Sequence, residues 1–208
     1  MPSQTFIRLP EKRQQQLNEI LINTFYERPL SQVRVSEIVT KMGMSRGAFY
    51  KYFTDLQDAY NYILKTSADE IHRHILQHIQ QADDDLFLGL TNYLKTVTSL
   101  DHQSSNWRRL LLFVQGSNLA AYQRPKDLSD PELKRWQEML TTSHILMPNK
   151  AEAVSFLYFI MALVLNALTD YIANDWSPET LLHDFNYRLQ WLSQGVLPQT
   201  NLGDDAND

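Results

Sequence analysis

Apolar residues recur three and four positions apart along nearly the whole chain, and no segment alternates apolar and polar positions for long. The pattern predicts an all-α protein. The first helix is expected to start at Pro10 or Glu11, where proline suits the first turn and a carboxylate suits the positive end of the helix dipole. Leu17, Ile20, Leu21, Thr24 and Phe25 form its inward stripe. Arg28-Pro29 ends it, because proline disfavours helical geometry in the residue before it. A short second helix carries Val35, Ile38, Val39 and Met42 on one face and stops at Gly43. A third begins at Ser45 and turns Ala48, Phe49, Tyr52 and Phe53 inward. A long fourth runs from about Asp55 to Gln81, with Ala59, Tyr60, Ile63, Leu64, Ile71 and Ile75 as its stripe.

Further helices follow. Asp83-Asp84-Asp85 supplies a cap for one reaching about Leu100, and Ser104 or Ser105 caps another through Trp107, Leu111, Val114 and Leu119. Ser129-Asp130-Pro131-Glu132 combines a cap, an early proline and a first-turn acid, and Pro148 closes the helix it starts. From Asn149 to Asn174 the chain is apolar almost all round, which predicts burial on more than one side. Ser177-Pro178-Glu179 opens the last helix, which ends near Gly195. The tail after Pro198, residues 198–208, is polar and acidic and is expected to be disordered. No internal repeat is present.

Composition narrows the class. With 208 residues, 43% hydrophobic and 21% charged, the chain can bury a real core in one ordinary domain and a small one. Met1 to Pro10 lacks the apolar run of a secretory signal. The nearest candidate for a membrane span, Ala153 to Leu168, is short and broken by Ser155 and Asn166, so it reads as a buried helix. No membrane contact is expected from so short a span, and the absence of cysteine excludes disulfides, thiolate catalysis and cysteine-type zinc sites and fits a reducing cytoplasm.

The net charge of −5 is unevenly spread. Residues 1–53 carry eight Lys and Arg against four Glu, a net +4, which leaves eleven basic and twenty acidic residues, a net −9, for the remainder. A basic head on an acidic body suits contact with phosphates, because affinity depends on local charge.

The informative stretch is Val35 to Phe53, VSEIVTKMGMSRGAFYKYF. Two short helices joined by Met42-Gly43-Met44, the second capped by Ser45, describe a helix-turn-helix whose second helix enters the major groove. Its outward positions are Arg46, Gly47, Tyr50 and Lys51. Arg46 can donate to guanine edges or phosphate, Lys51 is a point charge, and Tyr50 offers a hydroxyl to a phosphate oxygen. Gly47 weakens the helix but lets its backbone come close to DNA. An ordinary helical corner with solvated charges is the plain alternative.

This segment resembles the DNA-binding domain of the TetR family, in the run Gly43-Met44-Ser45-Arg46-Gly47-Ala48-Phe49-Tyr50-Lys51-Tyr52-Phe53 and in Glu37-Ile38-Val39 before it. The likeness covers about the first quarter of the chain. It implies an N-terminal three-helix helix-turn-helix domain, residues 1–54, and a C-terminal helical ligand-binding and dimerisation domain, residues 55–197. It also implies base or phosphate contacts for Arg46, Ala48 and Lys51, phosphate contacts for Tyr50 and Tyr52, and core roles for Phe49 and Phe53. Three positions depart from the family pattern. Arg34 stands where a capping Thr is usual, which loses a cap and adds a candidate phosphate contact. Arg28-Pro29 replaces a common Gly. Leu56, between Asp55 and Asp58, replaces a Lys that would anchor phosphate, which lowers the expected affinity for nonspecific DNA.

The resemblance further implies an inducer pocket between about residues 83 and 174, for which Trp107, Phe113, Tyr122, Trp136, Met139, Tyr158 and Met161 are candidates. Taken singly, each reads more readily as core. Arg108, Arg109 and His144 are candidate polar contacts. The last two helices are candidates for a homodimer interface, through Leu157, Met161, Leu165 and Leu168 on one and Leu181, Leu182, Phe185, Leu189 and Leu192 on the other. Glu70, His74 and His78 share one helix face; His74 and His78 have metal-ligand spacing, but no second-shell partner, so a solvated face and no metal are expected. No phosphate loop, nucleophile elbow or zinc-protease motif appears, so neither an enzyme nor a cofactor is expected. The expectation is a transcriptional regulator binding a pseudo-palindromic double-stranded operator, in family habit a repressor released by a small molecule. The rival reading is a helical adaptor that uses the head for protein contacts.

Overall fold

The computed structural model describes residues 2–116, 130–147 and 149–194. Among these every regular element is helical. The head comprises α1 (Gln4–Ile7), α2 (Glu11–Glu27), a single 3₁₀ turn (Leu30–Gln32), α3 (Val35–Met42) and α4 (Arg46–Tyr52). The body comprises α5 (Leu56–Gln81), α6 (Leu86–Thr98), α7 (Ser105–Gln115), α8 (Asp130–Thr142), α9 (Lys150–Ala173) and α10 (Pro178–Gln194).

Short polar side chains set most of the helix starts. Ser45, Asp55, Asp85, Ser104 and Asn149 each accept a hydrogen bond from an amide in the first turn that follows. Of the three aspartates before α6 only Asp85 caps; Asp83 and Asp84 adopt left-handed backbone, with φ of 53° and 62°, and turn the chain out of α5. The helix expected to run to Pro148 ends earlier, at Thr142. His144, with φ 58°, takes the left-handed position, and the Ile145 amide reaches back to the Leu140 carbonyl at 2.8 Å, a capping pattern that stops a helix without proline. Pro148, Leu119 and the polar tail lie outside the described residues.

Two apolar clusters meet along α5. Ala59, Ile63 and Leu64 pack into the head with Leu17, Leu21, Ile38, Phe49 and Phe53, and Leu112 of α7 joins them. From Ala68 onward, α5 faces the body core, which gathers α6 to α10. The head thus shares the first turns of α5, and the same helix continues into the body core. At the crossing of α5 and α6, a Cβ on Gly89 would lie 2.4 Å from the Ile79 Cα, so only glycine permits this approach.

The apolar helix α9 has 24 residues and contains an 18-residue stretch with a mean hydropathy of 1.9, long and apolar enough by composition to cross a membrane. Here Ala153, Ile160, Val164, Ala167 and Leu168 form one buried stripe against the neighbouring helices, while Ser155, Phe159, Ala162 and Asn166 leave the opposite face exposed. Within the chain the helix is therefore buried on one side, and not on several as its all-round apolar pattern predicts.

Candidate nucleic-acid interface and body cavities

The turn between α3 and α4 is built as the sequence predicts. Gly43 adopts φ 62° and ψ 39°, the left-handed region where glycine carries no steric cost, and the Met44 amide donates back to the Val39 carbonyl at 3.0 Å. Ser45 Oγ accepts from the Ala48 amide at 3.2 Å and opens α4. Phe49 and Phe53 are buried in the head, which fixes the rotation of α4. Ser45, Arg46, Gly47, Tyr50 and Lys51 are consequently exposed, and Ala48 and Tyr52 half-buried. Tyr52 sits edge-on to Phe6, with ring centroids 5.6 Å apart, so part of its ring is tied to the head core.

Helix α1 is absent from the sequence expectations. It is a four-residue helix, too short for periodicity to reveal. Its role is nonetheless direct: Ser3 Oγ donates to the Lys51 carbonyl, the Ser3 amide to the Tyr52 carbonyl at 2.8 Å, and Phe6 is buried against Phe53 and Tyr62. The N-terminal segment thereby closes off the carbonyl end of α4.

Six of the eight basic residues of the head fall into two groups. Arg13 donates to the Met42 carbonyl at 3.0 Å, Arg28 pairs with Glu37, and Lys41 lies 3.3 Å from Glu27. These three brace α3 against α2. Arg34, Arg46 and Lys51 are exposed and have no ion-pair partner among the described residues, which leaves them available to an external anion. Arg34 precedes α3 without a side-chain cap, as its replacement of Thr implies. Leu56 packs half-buried against the head cluster. Asp55 caps α5 at the Asp58 amide, 2.7 Å away, and Asp58 accepts from the Thr54 amide at 3.1 Å. The aspartates flanking Leu56 are thus structural parts of the head–body joint.

The aromatic residues considered for a ligand pocket do not surround one cavity. Trp107, Phe113, Trp136, Met139 and Met161 are all buried in the body core. Trp107 stacks on His102 at 4.0 Å, and Trp136 Nε1 donates to the Ala153 carbonyl at 2.7 Å. Tyr158 and Met161 line a surface groove of about 520 Å³ with His72, between α5, α8 and α9. Tyr122 lies outside the described residues. His144 is exposed.

A second cavity, about 280 Å³, lies between α5, α6 and α7 and is lined by Ser67, Glu70, His74, His78, Tyr93 and Arg109 among others. The Glu70, His74 and His78 face therefore looks into a cleft. Arg109 bonds Glu70 of α5 and lies 3.2 Å from Glu19 of α2. Burial pushes the His74 imidazole down and Glu70 opposes the effect, while burial pushes the Tyr93 phenol well above its ordinary range. Both ring nitrogens of His78 are engaged, Nδ1 with the His74 carbonyl at 2.9 Å and Nε2 with Thr96 Oγ1 at 3.0 Å. No group of three metal-binding side chains comes together among the described residues. The signal that points to this site in sequence is only partial, because Arg109 and Tyr93 come from other helices.

Of the residues considered for a dimer face, Leu157, Leu168, Leu181, Phe185 and Leu189 are buried within the chain, and Leu165, Leu182 and Leu192 are half-buried. The large apolar side chains that α9 and α10 leave exposed are Phe159, Tyr187 and Trp191, 49%, 44% and 57% accessible. Leu163 and Leu192 lie beside Phe159 and Trp191 in one shallow groove. Arg188 anchors the patch through Asp170 and Asp184, both 2.6 Å away.

The sequence matches two family descriptions: bacterial regulatory proteins of the tetR family over residues 22–58, and the tetracyclin repressor-like C-terminal domain over residues 64–196. No curated protein matches the chain. Among solved structures, FadR from Bacillus subtilis, a transcriptional regulator in complex with stearoyl-CoA, is 17% identical, with 88% of this chain and 99% of that one covered at a TM-score of 0.55. A putative transcriptional regulator from Pseudomonas aeruginosa is 16% identical, with 91% and 95% covered and a TM-score of 0.53. A TetR transcriptional regulator from a Rhodococcus species is 17% identical, with 90% and 100% covered and a TM-score of 0.52. With one match on the helix-turn-helix and the other spanning most of the body, the chain belongs to the TetR family of bacterial transcriptional regulators.

Proposed function

We propose that the protein is a sequence-specific repressor that works in the cytoplasm as a homodimer on a pseudo-palindromic double-stranded operator and leaves it when a small molecule binds the body. The observation that carries this reading is α4. Its exposed face offers Arg46, Tyr50 and Lys51 around a glycine, and its other face is locked by Phe49 and Phe53. Arg46 suits base edges, Tyr50, Lys51 and Arg34 suit phosphates, and Gly47 allows close approach. Dimerisation is supported by the exposed Phe159, Tyr187 and Trp191, which supply the aromatic content typical of an interface core. Two recognition helices held one helical turn apart would read the two half-sites. A ligand that prefers a different body shape would shift the population away from that spacing. The Bacillus subtilis neighbour binds stearoyl-CoA, but at that identity the likeness carries fold and not ligand.

Tyr50→Phe and Lys51→Ala test the placement. Both side chains are exposed, so neither change should unfold the protein. Each should weaken operator binding, and Lys51→Ala should also reduce its salt dependence by about one phosphate contact. Unimpaired binding in both variants contradicts the reading and favours an adaptor.

A further inference from the structure

The cavity between α5, α6 and α7 holds the volume of roughly nine waters at liquid density. Such a space suits a small ligand. Part of its wall is apolar, from Ile71, Val97, Leu100 and Leu110. One of its polar groups lacks a partner. Ser67 is wholly buried, lines the cavity, and its Oγ has no hydrogen-bond partner among the described residues, the condition of a group awaiting one. Glu70 also faces the space, and its principal partner is Arg109, which lies 3.2 Å from Glu19 as well. One guanidinium therefore serves two carboxylates. Arg73 approaches Glu70 only to 3.8 Å and is 58% exposed, so solvent screens it. Burial works against a positive charge on the His74 imidazole, with Glu70 opposing the effect. The rings of Tyr93 and His78, 5.5 Å apart, present aromatic surface on the α5–α6 side.

An apolar wall, aromatic rings and a carboxylate that shares its guanidinium with Glu19 together match a cation on a small apolar body. We propose that this cavity binds a small organic cation with an apolar or aromatic body, and that Glu70 pairs with the cation in competition with Arg109. The inference rests on the reading of the chain as a ligand-responsive regulator and assigns that ligand its chemical class. The site also has a mechanical consequence. Arg109 joins α7 both to α5 and to head helix α2. On the same seam Ser105 Oγ donates to Glu19 at 2.7 Å and Arg108 to Asn23 at 2.6 Å. A cation at Glu70 acts on the residue that fastens body to head.

Three near-isosteric probes test the class: benzamidinium, benzamide and benzoate, titrated calorimetrically against the full chain without DNA at neutral pH. Benzamidinium should bind at least about tenfold tighter than benzamide, with benzoate weakest, the size of a charge-assisted contact. Glu70→Gln should bring benzamidinium to the level of benzamide. Arg109→Met, by freeing Glu70 of its competitor, should tighten benzamidinium and leave benzamide unchanged; if that variant fails to fold, Glu70→Gln decides. Equal binding of the three probes, preference for benzoate, no binding, or indifference to Glu70→Gln overturns the proposal. Operator affinity of the same preparation separates the two readings. A chain that binds DNA but not benzamidinium loses only the ligand class, and one that binds benzamidinium but not DNA loses only the regulator.

Discussion

Replacing Gly47 by alanine should move stability and DNA binding in opposite directions. A Cβ at this position would meet only Ser45 Oγ, at an ordinary 3.8 Å, and Gly47 is exposed on α4. Nothing inside the protein requires glycine here. Alanine should therefore stabilise the fold by about 0.5–1 kcal/mol through backbone entropy and helix propensity. For a chain of this size that is a rise in Tm of roughly 1–4 °C. In the proposed complex the same methyl group would stand between Arg46 and Tyr50, where the helix backbone would meet the groove. Displacing the helix by on the order of 1 Å lengthens the flanking hydrogen bonds beyond useful geometry, and the affinity should fall about tenfold, or ~1.4 kcal/mol. Calorimetric melting and fluorescence anisotropy on one preparation read both effects. A more stable variant that binds the operator as well as the parent would refute the close approach of α4 to DNA.

Gly89→Ala tests the α5–α6 crossing. With the new Cβ 2.4 Å from the Ile79 Cα, the helices must part, and denaturant titration should register a loss of about 1–3 kcal/mol. Trp191→Ser combined with Phe159→Ser should shift sedimentation from dimer to monomer, since losing central aromatic anchors costs ~2 kcal/mol or more each. A dimer unaffected by both places the interface elsewhere. Burial pushes the His72 imidazole below its ordinary 6.5, with Asp69 working the other way. Because the unfolded chain then takes up the proton first, stability should be full above about pH 6.5 and decline below it until the folded pKa is passed. In His72→Asn that part of the decline should flatten, and an unchanged melting profile between pH 5 and 7 contradicts the assignment.

The legible parts of the fold were those encoded within a few residues. Ser45, Asp55, Ser104 and Asn149 announce their helices because a capping oxygen acts within three positions, and Gly43 marks the turn because it alone of the nearby residues enters left-handed geometry without cost. The outward face of α4 followed from the periodicity of Phe49 and Phe53. Long-range features were less legible. Helix α1 is held by Phe6 and by Ser3 reaching 48 positions along the chain, neither of which local patterning records. An all-round apolar helix such as α9 conceals which side meets its own chain, so Leu157 and Leu168 could not be told from Phe159. The cavity drew Glu70, Tyr93 and Arg109 from three helices, and only Glu70 with its histidine neighbours formed a pattern along one of them.

The most direct test of the central claim is an anisotropy titration of the chain against the DNA flanking its own gene, at two salt concentrations and with random competitor. The phosphate-facing Arg34 and Lys51 from each of two protomers, with Arg46 reading base edges, predict tight, competitor-resistant binding whose logarithm falls with log salt at a slope of about −4. A folded dimer that shows no preference for that DNA over competitor, even at low salt, would contradict operator recognition by the ligand-free protein.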